Sequence, residues 1–264
     1  MNQIRKTFTS PVNIVLMALA IGINIAVGQL VAILKLPIYL DSIGTVLVGA
    51  LLGPVAGFVT GILGTVIWAL TLNPGALPYA IVAGIIGLMA GIFGRRGLFT
   101  SNSPAWIGAV VGAVFFVAVS VFVLTLYTFT GDIWAIQDKD GAPISIGSLF
   151  AANQILFAAV ALVGAVLGFL LIKNGGYIGL AGILTGIVAA AVSAPISAYT
   201  SGGLNGSGTD VLVASFLAAG QSVLTSTLGQ GMVSDPFDKL ASYMMVWAII
   251  NLLPVRVRDR FEAE

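Results

Sequence analysis

The chain has 264 residues, 58% of them hydrophobic and 8% charged, with 11 basic against 10 acidic side chains and a mean hydropathy of +1.08. Soluble domains carry about 25% charged residues, so this composition excludes a water-facing globular surface and requires lipid in its place. The absence of cysteine and histidine excludes disulfides, thiolate nucleophiles and the commonest zinc and general-base ligands. A net charge of +1 offers little to a nucleic acid.

The N-terminal MNQIRKTFTSPV leads into an apolar stretch with no A-x-A-like cleavage site, which predicts a first membrane span over 11–34 rather than a signal peptide. Within it Ala18, Gly22 and Ala26 recur at i, i+4 and i+8. Such a row of small residues makes a flat face for close helix packing, inside the chain or against a partner. A short run at 43–53, counted as a span, ends in Gly53-Pro54, a reversal signal before the next helix. Further spans are predicted at 54–72, 78–94, 105–129, 148–172, 178–200 and 239–254. The run 211–231, rich in Gly, Ser, Thr and Gln, reads as an extra span or a re-entrant segment. The expected fold class is all-α: one polytopic integral membrane helical bundle over 1–264, with about eight transmembrane helices.

Basic residues favour the cytoplasmic side. With the N-terminus inside and 211–231 not crossing, Arg5, Lys6, Arg95, Arg96, Lys173, Arg256, Arg258 and Arg260 are all cytoplasmic. Asp41, Asp132, Asp138, Asp140, Asp210, Asp235 and Asp238 then fall outside. The expectation is a multi-pass protein of the cell membrane with both termini in the cytoplasm. The loop 131–147 is the clearly polar external connection, and TSGGLNGSGTD at 200–210 is the most Gly/Ser-rich stretch. Irregular backbone of that kind is tolerated in a bundle only against protein or a water-filled cavity.

The spans read as nearly free of ionisable groups, with each charge in a loop or near a span end. Coupled carriers usually place Asp, Glu or Lys at membrane depth, and HExxH, Walker A and nucleophile-elbow motifs are lacking. Neither a self-powered pump nor an enzyme is therefore expected, and no cofactor or metal site. A Ser–Lys pair would need Lys173 or Lys239 beside a serine at depth, and neither position promises one.

What remains is a set of polar and aromatic side chains near external helix ends. In the first half these are Gln29, Asp41, Ser42, Thr45, Trp68, Asn73 and Tyr79; in the second, Trp134, Asn153, Gln154, Tyr199, Asn205, Asp210 and Gln221. A small-molecule site needs only a few placed polar groups in an apolar wall. Equally, Trp and Tyr near span ends form interfacial belts, Asn and Gln bridge helices, and Asp41 is placed to cap a short helix from Ile43.

Two blocks carry a likeness. LKLPIYLDSIGTVLVGALLGPVAGFVTGILGTVIW (34–68) has an Asp after a Leu-Pro loop, a short helix, Gly53-Pro54 and a helix studded with Gly57, Gly61 and Gly64. With the ending SDPFDKLASYMMVWAIINLLP (234–254), it resembles the substrate-binding S components of energy-coupling factor (ECF) transporters, prokaryotic vitamin-uptake systems. The resemblance implies the S-component fold, usually of six spans, with the helices around 105–172 as an insertion or elaboration. It implies a vitamin-like small molecule bound near the external face, and a transmembrane T component and two cytoplasmic ATPase subunits as partners. On the matching positions it implies docking of the T component on Ala18, Gly22 and Ala26. The candidate substrate-binding residues are Asp41, Asn73, Asn205 and Asp210, with the loops 35–42 and 201–210 as a lid. Two other readings stay open: a ligand-sensing membrane module acting through a partner, and a stand-alone facilitator, which paired broken segments would favour.

Overall fold

The computed structural model describes residues 7–128 and 151–254. The loop 131–147 with Trp134, and the terminal Arg5, Lys6, Arg256, Arg258 and Arg260, lie outside the described residues. Among the described residues all regular structure is helical. In chain order it comprises α1 (Pro11–Ile33), α2 (Ile43–Leu52), α3 (Pro54–Thr71), a 3-10 segment (Pro74–Tyr79), α4 (Ala80–Arg95) and α5 (Ala105–Thr128). There follow α6 (Gln154–Leu171), α7 (Gly176–Ser201), α8 (Asp210–Ala218) and α9 (Val223–Leu252). Prolines open α1 and α3, where the fixed φ suits the first turn and the missing N–H costs nothing.

Among the described residues six stretches are long and apolar enough to cross a membrane: α1, α3, the 3-10 segment with α4, α5, α6 and α7. The chain is a multi-pass helical membrane protein. The expected spans differ from the structure in three places. At 10 residues, α2 rises only ~15 Å, half of a hydrocarbon core of about 30 Å, so 43–53 is no span by itself. The run 211–231 is not one segment, because Gly220 at φ 91° ends α8 and a new helix starts at Val223. Finally, the helix expected at 239–254 starts at Val223 and runs for 30 residues. Asp235, Asp238 and Lys239 therefore lie inside a helix, at 6%, 0% and 3% exposure, and not in an external loop. Pro236 signals a break, yet a membrane helix passes through proline where its neighbours support it. Here α7 does so: a Cβ on Gly186 would come within 2.4 Å of Pro236 Cα.

Three pairs dominate the packing: α7 with α9, α5 with α6, and α3 with α4. The α3–α4 crossing is a backbone contact, since a Cβ on Gly57 would lie 2.3 Å from the Gly87 carbonyl and one on Gly87 2.1 Å from that of Gly57. Small residues of this kind replace the hydrophobic drive that helices lack in lipid. The main core joins Ile43 and Val46 of α2, Val82 and Ile86 of α4, Ile178 of α7, and Tyr243 and Val246 of α9. α6 packs chiefly on α5, which joins the bundle through α7 and α9, so this pair is an outer layer.

The connections sort to two ends. Residues 34–42, the 3-10 segment and 203–209 gather at one end around a cavity. At the other, the Arg95 guanidinium lies beside Gly53, Ser103 N–H donates to the Asn174 carbonyl at 2.9 Å and Asn251 Nδ2 to that of Phe99 at 3.1 Å. Arg95, Arg96 and Lys173 thus belong to the end opposite the cavity. α1 turns Asn13, Met17, Ala20, Asn24, Gly28 and Val31 inward. Ala18, Gly22 and Ala26 face out and are exposed, and a Cβ on Gly22 would meet nothing within 4 Å. Among the described residues that row takes no part in close helix packing.

Candidate functional site

The cavity measures ≈ 210 Å³ and is walled by α1, α3, α4, α7 and α9, with the loops 36–42 and 205–208 across it. Its deepest polar element comes from α9, whose charged residues follow helical spacing: Asp235 and Lys239 at i and i+4 share one face, with Asp238 beside them. Asp238 Oδ1 accepts the backbone N–H of Leu40 at 2.6 Å and of Tyr39 at 3.2 Å. Its other oxygen is ion-paired with Lys239. The lysine also donates to Ser42 Oγ at 2.8 Å and lies 3.6 Å from Asp41 Oδ1. One ammonium thus ties the loop before α2 to the centre of α9. Leu40 is held at φ 49°, a conformation costly for a bulky side chain, and Asp238 is the group that fixes it there.

Lys239 does therefore lie beside a serine at depth, against the sequence expectation. Its position between Asp238 and Asp41 makes it their ion-pair partner, so the contact with Ser42 reads as structure and not as a Ser–Lys catalytic dyad.

A chain of hydroxyls and amides continues from this cluster toward the loops. Gln230 Nε2 donates to Ser234 Oγ at 2.6 Å and reaches Tyr39 Oη at 3.4 Å. Tyr39 Oη pairs with Thr209 Oγ1 at 2.8 Å, and Thr209 with Ser207 Oγ at 2.6 Å. The two loops expected as a lid touch each other directly. Lys35 Nζ donates to the Gly206 carbonyl, and a Cβ on Gly208 would fall 2.3 Å from the carbonyls of Lys35 and Leu36.

Of the four candidate substrate-binding residues, Asp41, Asn73 and Asn205 line the cavity. Asp41 lies toward the floor beside Lys239; Asn73 and Asn205 are exposed. Asp210 does not line it. Its carboxylate accepts the N–H groups of Asn205 at 3.2 Å and Gly206 at 2.7 Å and the Ser207 hydroxyl at 3.2 Å, shaping the loop that does. Ser42, Trp68 and Tyr79 also line the cavity; Trp68 Nε1 donates to Gln29 at 3.2 Å, and the Tyr79 hydroxyl is buried with no protein partner among the described residues.

The others serve elsewhere. Thr45 serves a helix bridge, its Oγ1 accepting from Asn24 Nδ2 at 2.8 Å while Asn24 Oδ1 accepts the Gly44 N–H at 2.7 Å. Gln221 donates to the Leu126 carbonyl at 2.8 Å, Gln154 reaches that of Ala151 at 3.3 Å, Asn153 flanks α6, and Tyr199 is 94% exposed. Sequence reasoning passed over Tyr39, Ser193, Gln230, Asp235 and Lys239, all on the cavity wall. The signal was the i, i+4 spacing in SDPFDK, masked by the proline. Among the described residues no group of carboxylates has an arrangement that could hold a metal ion. Comparison of the chain with protein-family models, curated proteins and solved structures gives no match.

Proposed function

We propose that the chain is the substrate-capturing membrane subunit of an ATP-driven importer of the energy-coupling factor type, holding a vitamin-like small molecule near the external face. The observation that carries this reading is a cavity inside a membrane bundle, closed over by two loops that bond to each other. Ligand sites of this kind are concave, largely apolar and supplied with a few convergent polar groups.

Orientation supports it. Arg95, Arg96 and Lys173 mark the end away from the cavity, and basic loops favour the cytoplasm, which supports an external cavity and cytoplasmic termini. In this arrangement the loop 34–42 and the short α2 together make one crossing, α8 stays at the external end, and α9 makes the last of eight passes. The exposed row Ala18, Gly22 and Ala26 leaves a flat strip for a transmembrane T component, with ATP hydrolysis on two cytoplasmic partners. The α5–α6 pair, outside the main core, is the elaboration on the usual six-span plan.

The test is purification from native membrane with mass spectrometry of bound proteins and released small molecules. A T component, two ATPases and a small organic compound are expected. A chain recovered alone that equilibrates solutes across liposomes without ATP refutes the importer reading and favours a facilitator.

A further inference from the structure

We infer that the cavity takes a cationic small molecule, an organic ammonium or related nitrogen cation, held by Asp41 and Asp235 beside the rings of Trp68 and Tyr79. The inference rests on the small-molecule reading above and narrows it to a substrate class.

The charges around the cavity do not balance. Three carboxylates, Asp41, Asp235 and Asp238, stand beside one ammonium, Lys239, which pairs with Asp41 and Asp238. Asp238 is fully used by that ammonium and two backbone N–H groups. Asp41 lies 3.6 Å from Lys239, and its side chain is 34% exposed where it lines the cavity. Asp235 is the decisive residue. It is 6% exposed, lines the same cavity, and among the described residues has no lysine or arginine within salt-bridge range. Its oxygens have two weak contacts, with Ser193 Oγ at 3.5 Å and Ser234 Oγ at 3.3 Å. Lys35, the other cation at this end among the described residues, is turned to the Gly206 carbonyl in the loop above. A buried carboxylate is stable when a positive partner reaches it, and an ionisable group at membrane depth marks a ligand pathway by default. Here the open side of that carboxylate is the cavity.

The walls fit the same class. Trp68 and Tyr79 line the cavity, and aromatic rings beside carboxylates are the usual surroundings of bound ammonium groups. The Tyr79 hydroxyl, buried and without a protein partner among the described residues, adds a free polar contact. An anion would meet two acidic groups, a repulsion that disfavours carboxylate-bearing compounds. Among the described residues no group of three or more carboxylates converges as a metal site would, and the aromatic, largely apolar wall favours an organic cation.

The experiment uses the full chain in lipid nanodiscs and three probes of one shape: benzylammonium, benzyl alcohol and benzoate, measured by equilibrium dialysis at neutral pH. Benzylammonium is expected to bind at least about tenfold more tightly than benzyl alcohol, with benzoate weakest, a difference of about 1.4 kcal/mol or more. Asp235→Asn, and separately Asp41→Asn, should each remove most of that preference. Asp41 is partly exposed, so its variant carries the test even where Asp235→Asn fails to fold. Equal or tighter binding of benzyl alcohol or benzoate overturns the charge assignment while leaving the small-molecule site in place. A preference untouched by either substitution also overturns it. If none of the three binds, the cation assignment falls, while the importer reading stands or falls on the co-purification test.

Discussion

Asp238 is the residue whose removal discriminates most sharply between a structural and an incidental ion cluster. It is 0% exposed and joins three things: the Lys239 ammonium and the N–H groups of Tyr39 and Leu40. Breaking a buried ion pair by removing one partner costs about 3–5 kcal/mol. Asn at this position keeps an acceptor for the two N–H groups, and Asp41 at 3.6 Å still faces the lysine, so the lower end, about 3 kcal/mol, applies to Asp238→Asn. Asp238→Ala also orphans the two N–H groups, and an unmet buried donor adds about 1–3 kcal/mol; a total near 5 kcal/mol is expected. Removing both charges in Asp238→Asn/Lys239→Met leaves no stranded ammonium, so the double variant should lose less than the two singles summed, with a coupling of about 2 kcal/mol. The assay is reversible unfolding in mixed micelles, followed by tryptophan fluorescence. Strictly additive losses, or an Asp238→Asn chain as stable as its parent, would refute the reasoning.

Three further outcomes follow from particular contacts. Gly57→Ala forces a methyl group toward a carbonyl 2.3 Å away and should cost about 1–3 kcal/mol, whereas Gly22→Ala, which meets nothing, should stay within about 0.5 kcal/mol in the same unfolding assay. Asn24→Leu strands the Gly44 N–H and the Thr45 hydroxyl and should lower stability by about 2 kcal/mol; a neutral result would mean the bridge is dispensable. Gly208→Val cannot keep the 2.3 Å approach to the Lys35 and Leu36 carbonyls. The two loops should part, read as faster hydrogen exchange at the Asn205 and Gly206 amides with core helices unchanged.

The class of fold was legible because its signal is collective: apolar windows of helical length survive errors at single residues. The ends of elements were legible where a backbone rule applies, as at Gly53-Pro54, where φ 91° at the glycine and a proline at the first helical position make the reversal. The centre of the site was not legible, and one residue explains most of that. Pro236 next to two aspartates and a lysine has the composition of a loop, and hydropathy averaged across 223–252 falls where those charges stand. Only the tertiary partner reveals a helix, because Gly186 of α7 is what allows the proline to pack. Once the helix is continuous, Asp235 and Lys239 fall on one face by spacing alone, and the charges thought to lie outside the membrane become the floor of the cavity. Asn73, Asn205 and Asp41 could be picked out as polar residues near helix ends without that step. Their relation to each other could not, since it depends on loops 34–42 and 203–209 meeting across a separation of 171 positions, as between Lys35 and Gly206. The same dependence accounts for Asp210: a carboxylate at a helix start reads as a contact residue or a cap, and here its oxygens are spent on the backbone of the loop in front of it. A polar residue near a cavity thus acts on a ligand only when its hydrogen-bonding capacity is left over from holding the chain, and by that criterion Asp235 and the Tyr79 hydroxyl, more than Asp210, are the groups with capacity to spare.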